Sequence, residues 1–135
     1  MVKVVIISFF FFMSSLQSNH DFRIIIQGVD KIQGAMMIAI YQPDHTFLGD
    51  EAYLFKKIPV SQSDSLMLDV ELPGGKYAVS VYHDLNGDGE LNTNFLGIPK
   101  EPYGFSIARG TFGPPSFEDA SFLVPGRRQI TIEIE

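Results

Sequence analysis

The sequence predicts an all-β fold, with seven short strands forming a two-sheet β-sandwich. Three observations lead there. First, apolar and polar residues alternate at period two. The cleanest case is 65–72, where Leu66, Leu68, Val70 and Leu72 share one face and Met67, Asp69 and Glu71 the other. Second, turn residues punctuate these runs roughly every 8–12 residues, a spacing typical of sandwiches and barrels. Third, no stretch of ten or more residues beyond the N-terminal segment carries a helical period. In a sandwich the inward faces of the two sheets pack against each other, which accounts for the one-sided apolar patterning.

The first strand is expected over 22–29, centred on Ile24, Ile25 and Ile26. Gly28 and Gly34 bracket a turn through Asp30. The second strand spans 35–41 and stops at Pro43-Asp44. A third, weaker strand covers 52–60, and its Lys56-Lys57 pair suits a sheet edge, where charge discourages pairing with another chain. The fourth, 65–72, runs into the turn Pro73-Gly74-Gly75. The fifth, 76–83, alternates again, with Tyr77, Val79 and Val81 on one side. The sixth and seventh, 120–124 and 129–133, are divided by Pro125-Gly126, and Ile130, Ile132 and Ile134 share a face. The stretch 94–119 fits none of these, being broken by glycine and proline yet rich in aromatic residues. Loops longer than ~12–15 residues in compact domains are uncommon and often functional. It reads either as a loop pinned to the sandwich edge by its own aromatics or as a binding surface presenting Tyr103, Phe105, Arg109 and Phe112.

The domain organisation is expected to be a signal peptide at 1–18 followed by one β-sandwich domain at 19–135. Lys3 provides a basic start, 4–13 an apolar run, and Ser14, Ser15 and Ser18 small residues near a cut. The run is shorter than the ~20 apolar residues of a transmembrane helix, so the mature protein is expected to have no transmembrane span. An uncleaved anchor and a buried N-terminal strand are the competing readings. The expected location is therefore exported: periplasmic, or secreted to the cell surface. Removing 1–18 takes away only Lys3 among the charged residues, so the net charge moves from −6 to −7. That balance speaks against nucleic acid and against an anionic membrane surface. The chain has no cysteine, which removes thiolate zinc sites, iron–sulfur clusters and thiol nucleophiles.

The most chemically suggestive motif is DLNGDG at 84–89. Asp84, Asn86 and Asp88 offer oxygens at alternate positions, the Glu90 carbonyl and Asn92 follow at the same spacing, and Gly89 stands where an EF-hand loop has its glycine. Phe95 stands where that loop would have its bidentate glutamate, and no helices flank the segment, so it is no EF-hand. Two readings stay open. One is a Ca²⁺ site on a β scaffold, completed by an oxygen from Asn94, Glu118 or Asp119. The other is a plain turn, since Asn86-Gly87 and Asp88-Gly89 are both strong turn pairs. Neighbouring strand residues point to opposite faces, so His83 and Asp84 do not form a base and its orienter. Ser106 lacks a nucleophile-elbow setting, because the sequence around it is GFSIA.

The run PGGKYAVSVYHDLNGDGELNTNFLGIPKEPYGFSIARGTFGPPSFEDASFLV resembles the bacterial family catalogued as domain of unknown function 2141. The shared features are the Tyr-bearing strand, the His-Asp-x-Asn loop and the stretch through Gly-Ile-Pro, Glu-Pro-Tyr-Gly-Phe-Ser and Gly-Pro-Pro. The resemblance implies export in Gram-negative bacteria and implies no established activity. More distantly, LPGGKYAVSVYHDLNGDG is similar to prealbumin-like and Cna-B-type modules, which implies an immunoglobulin-like or prealbumin-like sandwich. Tyr77 would then pack its ring and cap a turn with its hydroxyl. The function expected is a binding or interaction module for an unknown ligand or envelope partner, with Ca²⁺ as candidate cofactor. The alternatives are an enzyme with His83, Asp84 and Arg109 in one cleft, and a structural envelope protein.

Overall fold

The computed structural model describes residues 16–109 and 113–135, so most of the expected signal peptide lies outside the described residues. Among the described residues eight strands and one short helix follow in order: β1 (Asn19–Val29), β2 (Ala35–Tyr41), β3 (Leu54–Pro59), β4 (Asp64–Pro73), β5 (Gly75–Asp84), β6 (Tyr103–Phe105), α1 (Phe117–Ala120), β7 (Phe122–Val124) and β8 (Gln129–Glu133). The protein is an all-β sandwich. The smaller sheet has the order β4-β1-β8, with β4 antiparallel and β8 parallel to β1. The larger sheet has the order β3-β2-β5-β6, and β7 pairs with the start of β5.

The alternation seen in the sequence selects the buried faces. From the smaller sheet, Phe22, Ile24 and Ile26 of β1 point inward with Leu66, Val70 and Leu72 of β4 and Ile130 and Ile132 of β8. Facing them are Met36, Ile38 and Ile40 of β2 and Tyr77, Val79 and Val81 of β5. Phe122 of β7 stacks on Phe22 with ring centroids 5.0 Å apart. The Tyr77 ring is fully buried and its hydroxyl donates to the Pro73 carbonyl at 2.7 Å, so it caps the turn as expected. β3 is an edge strand carrying Lys56 and Lys57. Lys56 shares the inward phase of Leu54 and Ile58, a charge that blunts an open edge.

The eighth strand, β6, lies inside the stretch expected to be loop. It has three residues and a central glycine, so it shows no alternation to read. Gly104 is required there: a Cβ would sit 2.6 Å from the Glu133 carbonyl oxygen and 2.7 Å from the Ile132 side chain. Beyond β6 the two sheets are tied at one seam. Tyr103 and Glu135 exchange backbone hydrogen bonds of 3.1 and 3.2 Å, and the Ile134 N–H donates to Gln27 at 3.0 Å. The helix α1 takes the first residue of the expected sixth strand. Its signal is Ser116, whose hydroxyl accepts from the Asp119 N–H at 3.2 Å in the S-x-x-D pattern of a helix start.

Candidate functional site: an aromatic groove beside an acidic loop

The outer face of the larger sheet is a trough. Strand register sets Phe55, Ala39, Ser80 and Phe105 side by side across β3, β2, β5 and β6. The two middle residues are small and the two outer ones aromatic, so the centre is low and the flanks are raised. The next row places Lys57, Met37, Tyr82 and Tyr103 in line. These residues are out of phase with the core and cannot reach it.

Two tyrosines of this face hold the walls. The Tyr41 hydroxyl donates to the Gly49 carbonyl at 3.0 Å and fixes the β2–β3 loop. Phe47 from that loop sits edge-on to Tyr41, Phe105 and Phe117. The Tyr82 hydroxyl donates to the Gly89 carbonyl at 2.9 Å and fixes the loop after β5. The result is a groove of about 1300 Å³, floored by Tyr41, Ser80, Tyr82, Tyr103 and Phe105 and walled by residues 48–52, 89–91 and 97–99. Leu48, Phe55 and Ile98 expose large apolar area at its rim. Burial raises the Tyr82 phenol above its usual pKa, and the charges of Asp84, Glu101, Asp88 and Glu90 add to that. Burial likewise raises Tyr41, with Asp50 adding to it against a hydrogen bond with Ser80.

The acidic loop begins where β5 ends. The fully buried Asp84 carboxylate accepts from the Gly87 N–H at 3.0 Å and the Gly89 N–H at 2.9 Å. Both glycines have positive φ, 74° and 77°, which lets the chain turn its N–H groups inward. Asn86 Oδ1 accepts from the Asp88 N–H at 3.2 Å, and Asp88 Oδ1 from the Glu90 N–H at 3.0 Å. The amides of Asn86 and Asn92 both donate to Asp88 Oδ2, at 3.2 and 2.7 Å. The hydrogen bond from Asn92, then that from Glu90, holds the Asp88 carboxyl below its ordinary value of 3.8. Asp84, Asn86, Asp88 and Asn92 therefore converge, while Glu90 takes part through its backbone. Among the described residues no three His, Asp or Glu side chains gather into a metal-holding group.

The carboxylate that completes this loop is Glu101. It is buried, accepting from the Leu85 N–H at 3.0 Å and the Asn92 N–H at 3.1 Å, so it clamps both ends of the turn. None of the three residues expected to supply a completing oxygen does so. Asn94 Oδ1 is taken by the Leu96 and Ile98 N–H groups of its own turn. Glu118 and Asp119 sit on α1 at the opposite end of β5, where Glu118 pairs with Lys76. Glu101 had no signal in loop spacing because it returns from nine residues beyond Asn92.

Tyr103, Phe105 and Arg109 of the expected binding surface line one cavity of about 710 Å³. Tyr103 and Phe105 also floor the groove, whereas the exposed Arg109 side chain reaches Glu133 at 3.5 Å. Phe112 lies outside the described residues. The catalytic grouping of His83, Asp84 and Arg109 is not assembled. His83 is buried with its ring nitrogen donating to the Gln33 carbonyl at 2.7 Å, and the Asp84 carboxylate turns to the Gly87 and Gly89 N–H groups of its loop. Ser106 is fully buried, its hydroxyl accepting from the Val79 N–H at 2.8 Å and donating to the Ala120 carbonyl at 2.5 Å. It is a staple between β5 and the approach to β7. The groove residues Tyr41, Phe55 and Tyr82 were not singled out from the sequence. Their phase, opposite to the core-facing residues of the same strands, is the signal that could have found them.

A family model described as an uncharacterized protein conserved in bacteria (DUF2141) matches residues 24–133. No curated protein and no solved structure matches the chain.

Proposed function

The chain belongs to the bacterial family DUF2141, and from that premise we propose that it is an exported binding module that takes its ligand in the groove on the outer face of the larger sheet. The observation that carries this reading is the groove itself, about 1300 Å³ with an aromatic floor and two tyrosine-anchored walls. Concave, mostly apolar sites with a few polar groups are where small ligands bind. The basic start and short apolar run at the N-terminus support export to the periplasm or cell surface. N-terminal sequencing of the protein from its host is expected to give a start near Ser18. A mature chain beginning at Met1 in the cytoplasm overturns that part.

The groove is tested with a neutral apolar dye, N-phenyl-1-naphthylamine. Its fluorescence is expected to rise with the wild type and not with Ser80→Phe, which fills the trough while far-UV circular dichroism stays unchanged. Equal signals from both proteins, or none from the wild type, overturn the groove as the site.

The acidic loop is assigned to Ca²⁺ as a stabilising ion, with Asp84, Asn86, Asp88, Asn92 and the Glu90 carbonyl as its oxygens. The support is the convergence of those side chains on one turn. If the ion binds only the folded state, Ca²⁺ at 100 times Kd adds ~2.7 kcal/mol. Melts in EDTA and in millimolar Ca²⁺ are expected to differ for the wild type and to coincide for Asp88→Ala. Superimposable wild-type curves, with elemental analysis showing no retained metal, remove the ion and leave a turn.

A further inference from the structure

The charged residues that line the groove are all acidic, although Lys57 stands on the same face next to Phe55. Asp50, Glu51 and Glu90 line it, and no Lys or Arg does among the described residues. None of these three side chains makes an ion pair or a hydrogen bond among the described residues, although ion pairs occur elsewhere on the surface at Arg23–Asp69 and Lys76–Glu118. Three carboxylates that make no ion pair among the described residues, set around one apolar cleft, repel each other and attract a cation. The floor adds to this, because the faces of Tyr41, Tyr82, Tyr103 and Phe105 carry the negative side of the aromatic quadrupole.

We propose that the groove binds an organic ammonium ion with an apolar body: the body on the aromatic floor and the ammonium near the Asp50, Glu51 and Glu90 carboxylates. The inference rests on the groove being the binding site and adds the chemical class of what enters it. Anionic ligands are disfavoured by the same three carboxylates. The Ca²⁺ loop is a separate matter, since Glu90 faces the groove with its side chain and the loop with its backbone.

Three probes with one body and different heads test the class: 4-phenylbutylammonium, 4-phenylbutanol and 4-phenylbutanoate. Each is titrated into the ¹⁵N-labelled protein, following the backbone amides of Ser80, Tyr82 and Phe105. The ammonium is expected to move these amides at a concentration about tenfold lower than the alcohol, and the carboxylate to bind more weakly than either. The triple variant Asp50→Asn/Glu51→Gln/Glu90→Gln changes three exposed side chains that make no hydrogen bond or ion pair among the described residues. It is expected to abolish the preference for the ammonium over the alcohol. An alcohol that binds as tightly as the ammonium, or a preference that survives the triple variant, overturns the cation class while the groove remains a binding site. Dye and probes all failing to touch the groove amides overturns both. A concentration-dependent dimer by light scattering, abolished by Ser80→Phe, makes a second copy of the chain the occupant and also overturns the proposal.

Discussion

At the scale of single residues, Glu101 and Asp88 show how one turn is held by carboxylates in different ways. Glu101 is buried and accepts two backbone N–H groups that have no alternative partner, so its removal leaves both unsatisfied. Glu101→Ala is expected to cost about 1–3 kcal/mol, read as a shift in the urea midpoint. Asp88 is exposed, and its carboxyl is held below its ordinary value by Asn92 first and then by the Glu90 N–H. A depressed folded pKa means that the charged form is favoured by folding. Its contribution is present above the ordinary value of 3.8 and is lost as pH falls through the lower folded value. Melts between about pH 5 and pH 2 are expected to show a smaller acid loss for Asp88→Asn than for the wild type. Spacing alone exposed Asp84, Asn86 and Asp88 as a unit. It could not expose Glu101, which reaches its place through a chain excursion that leaves no local periodicity.

At the scale of elements, the strands that were legible are those long enough to alternate. The second and seventh expected strands have the bounds observed for β2 and β8, and the others agree within a few residues. β6 was hidden because its three residues are ordered by contact with β5 on one side and the chain terminus on the other, not by their own pattern. Gly104→Ala is therefore expected to destabilise by about 1–3 kcal/mol through the clash with Glu133, visible as a lower melting temperature. The edge reading of β3 rests on Lys56 and Lys57. The double change Lys56→Val/Lys57→Val is expected to leave the circular dichroism spectrum intact and to raise light scattering on storage, because an uncharged open edge recruits a further strand.

At the scale of the molecule, the two sheets share a single buried cluster. Ile24 belongs to one sheet and Ile38 to the other, and both are fully buried. Ile24→Ala and Ile38→Ala are each expected to cost about 2–5 kcal/mol while keeping one transition, with far-UV circular dichroism and tyrosine fluorescence coincident in urea. Two separate transitions in either variant would mean that the sheets do not unfold as a unit. Val81→Asp places an unpaired carboxylate in the same cluster and is expected to prevent folding, whereas Ser80→Asp, one residue away on the groove face, is tolerated far better. The two faces of β5 thus divide the labour: one builds the core and the other floors the groove.

The sequence by itself determined the fold class, the buried faces of the main strands, the turn capped by Tyr77 and the acidic turn at the end of β5. All of these depend on residues a few positions apart, where period-two geometry and turn chemistry act directly. The tertiary structure alone decided what surrounds them. Ala39 and Ser80 form a trough only because register sets Phe55 and Phe105 beside them. Glu101 closes the acidic loop, and Arg109 lines one cavity with Tyr103 and Phe105. These are pairings between residues distant in the chain, set by which strands become neighbours, and neither strand's own pattern encodes its neighbour.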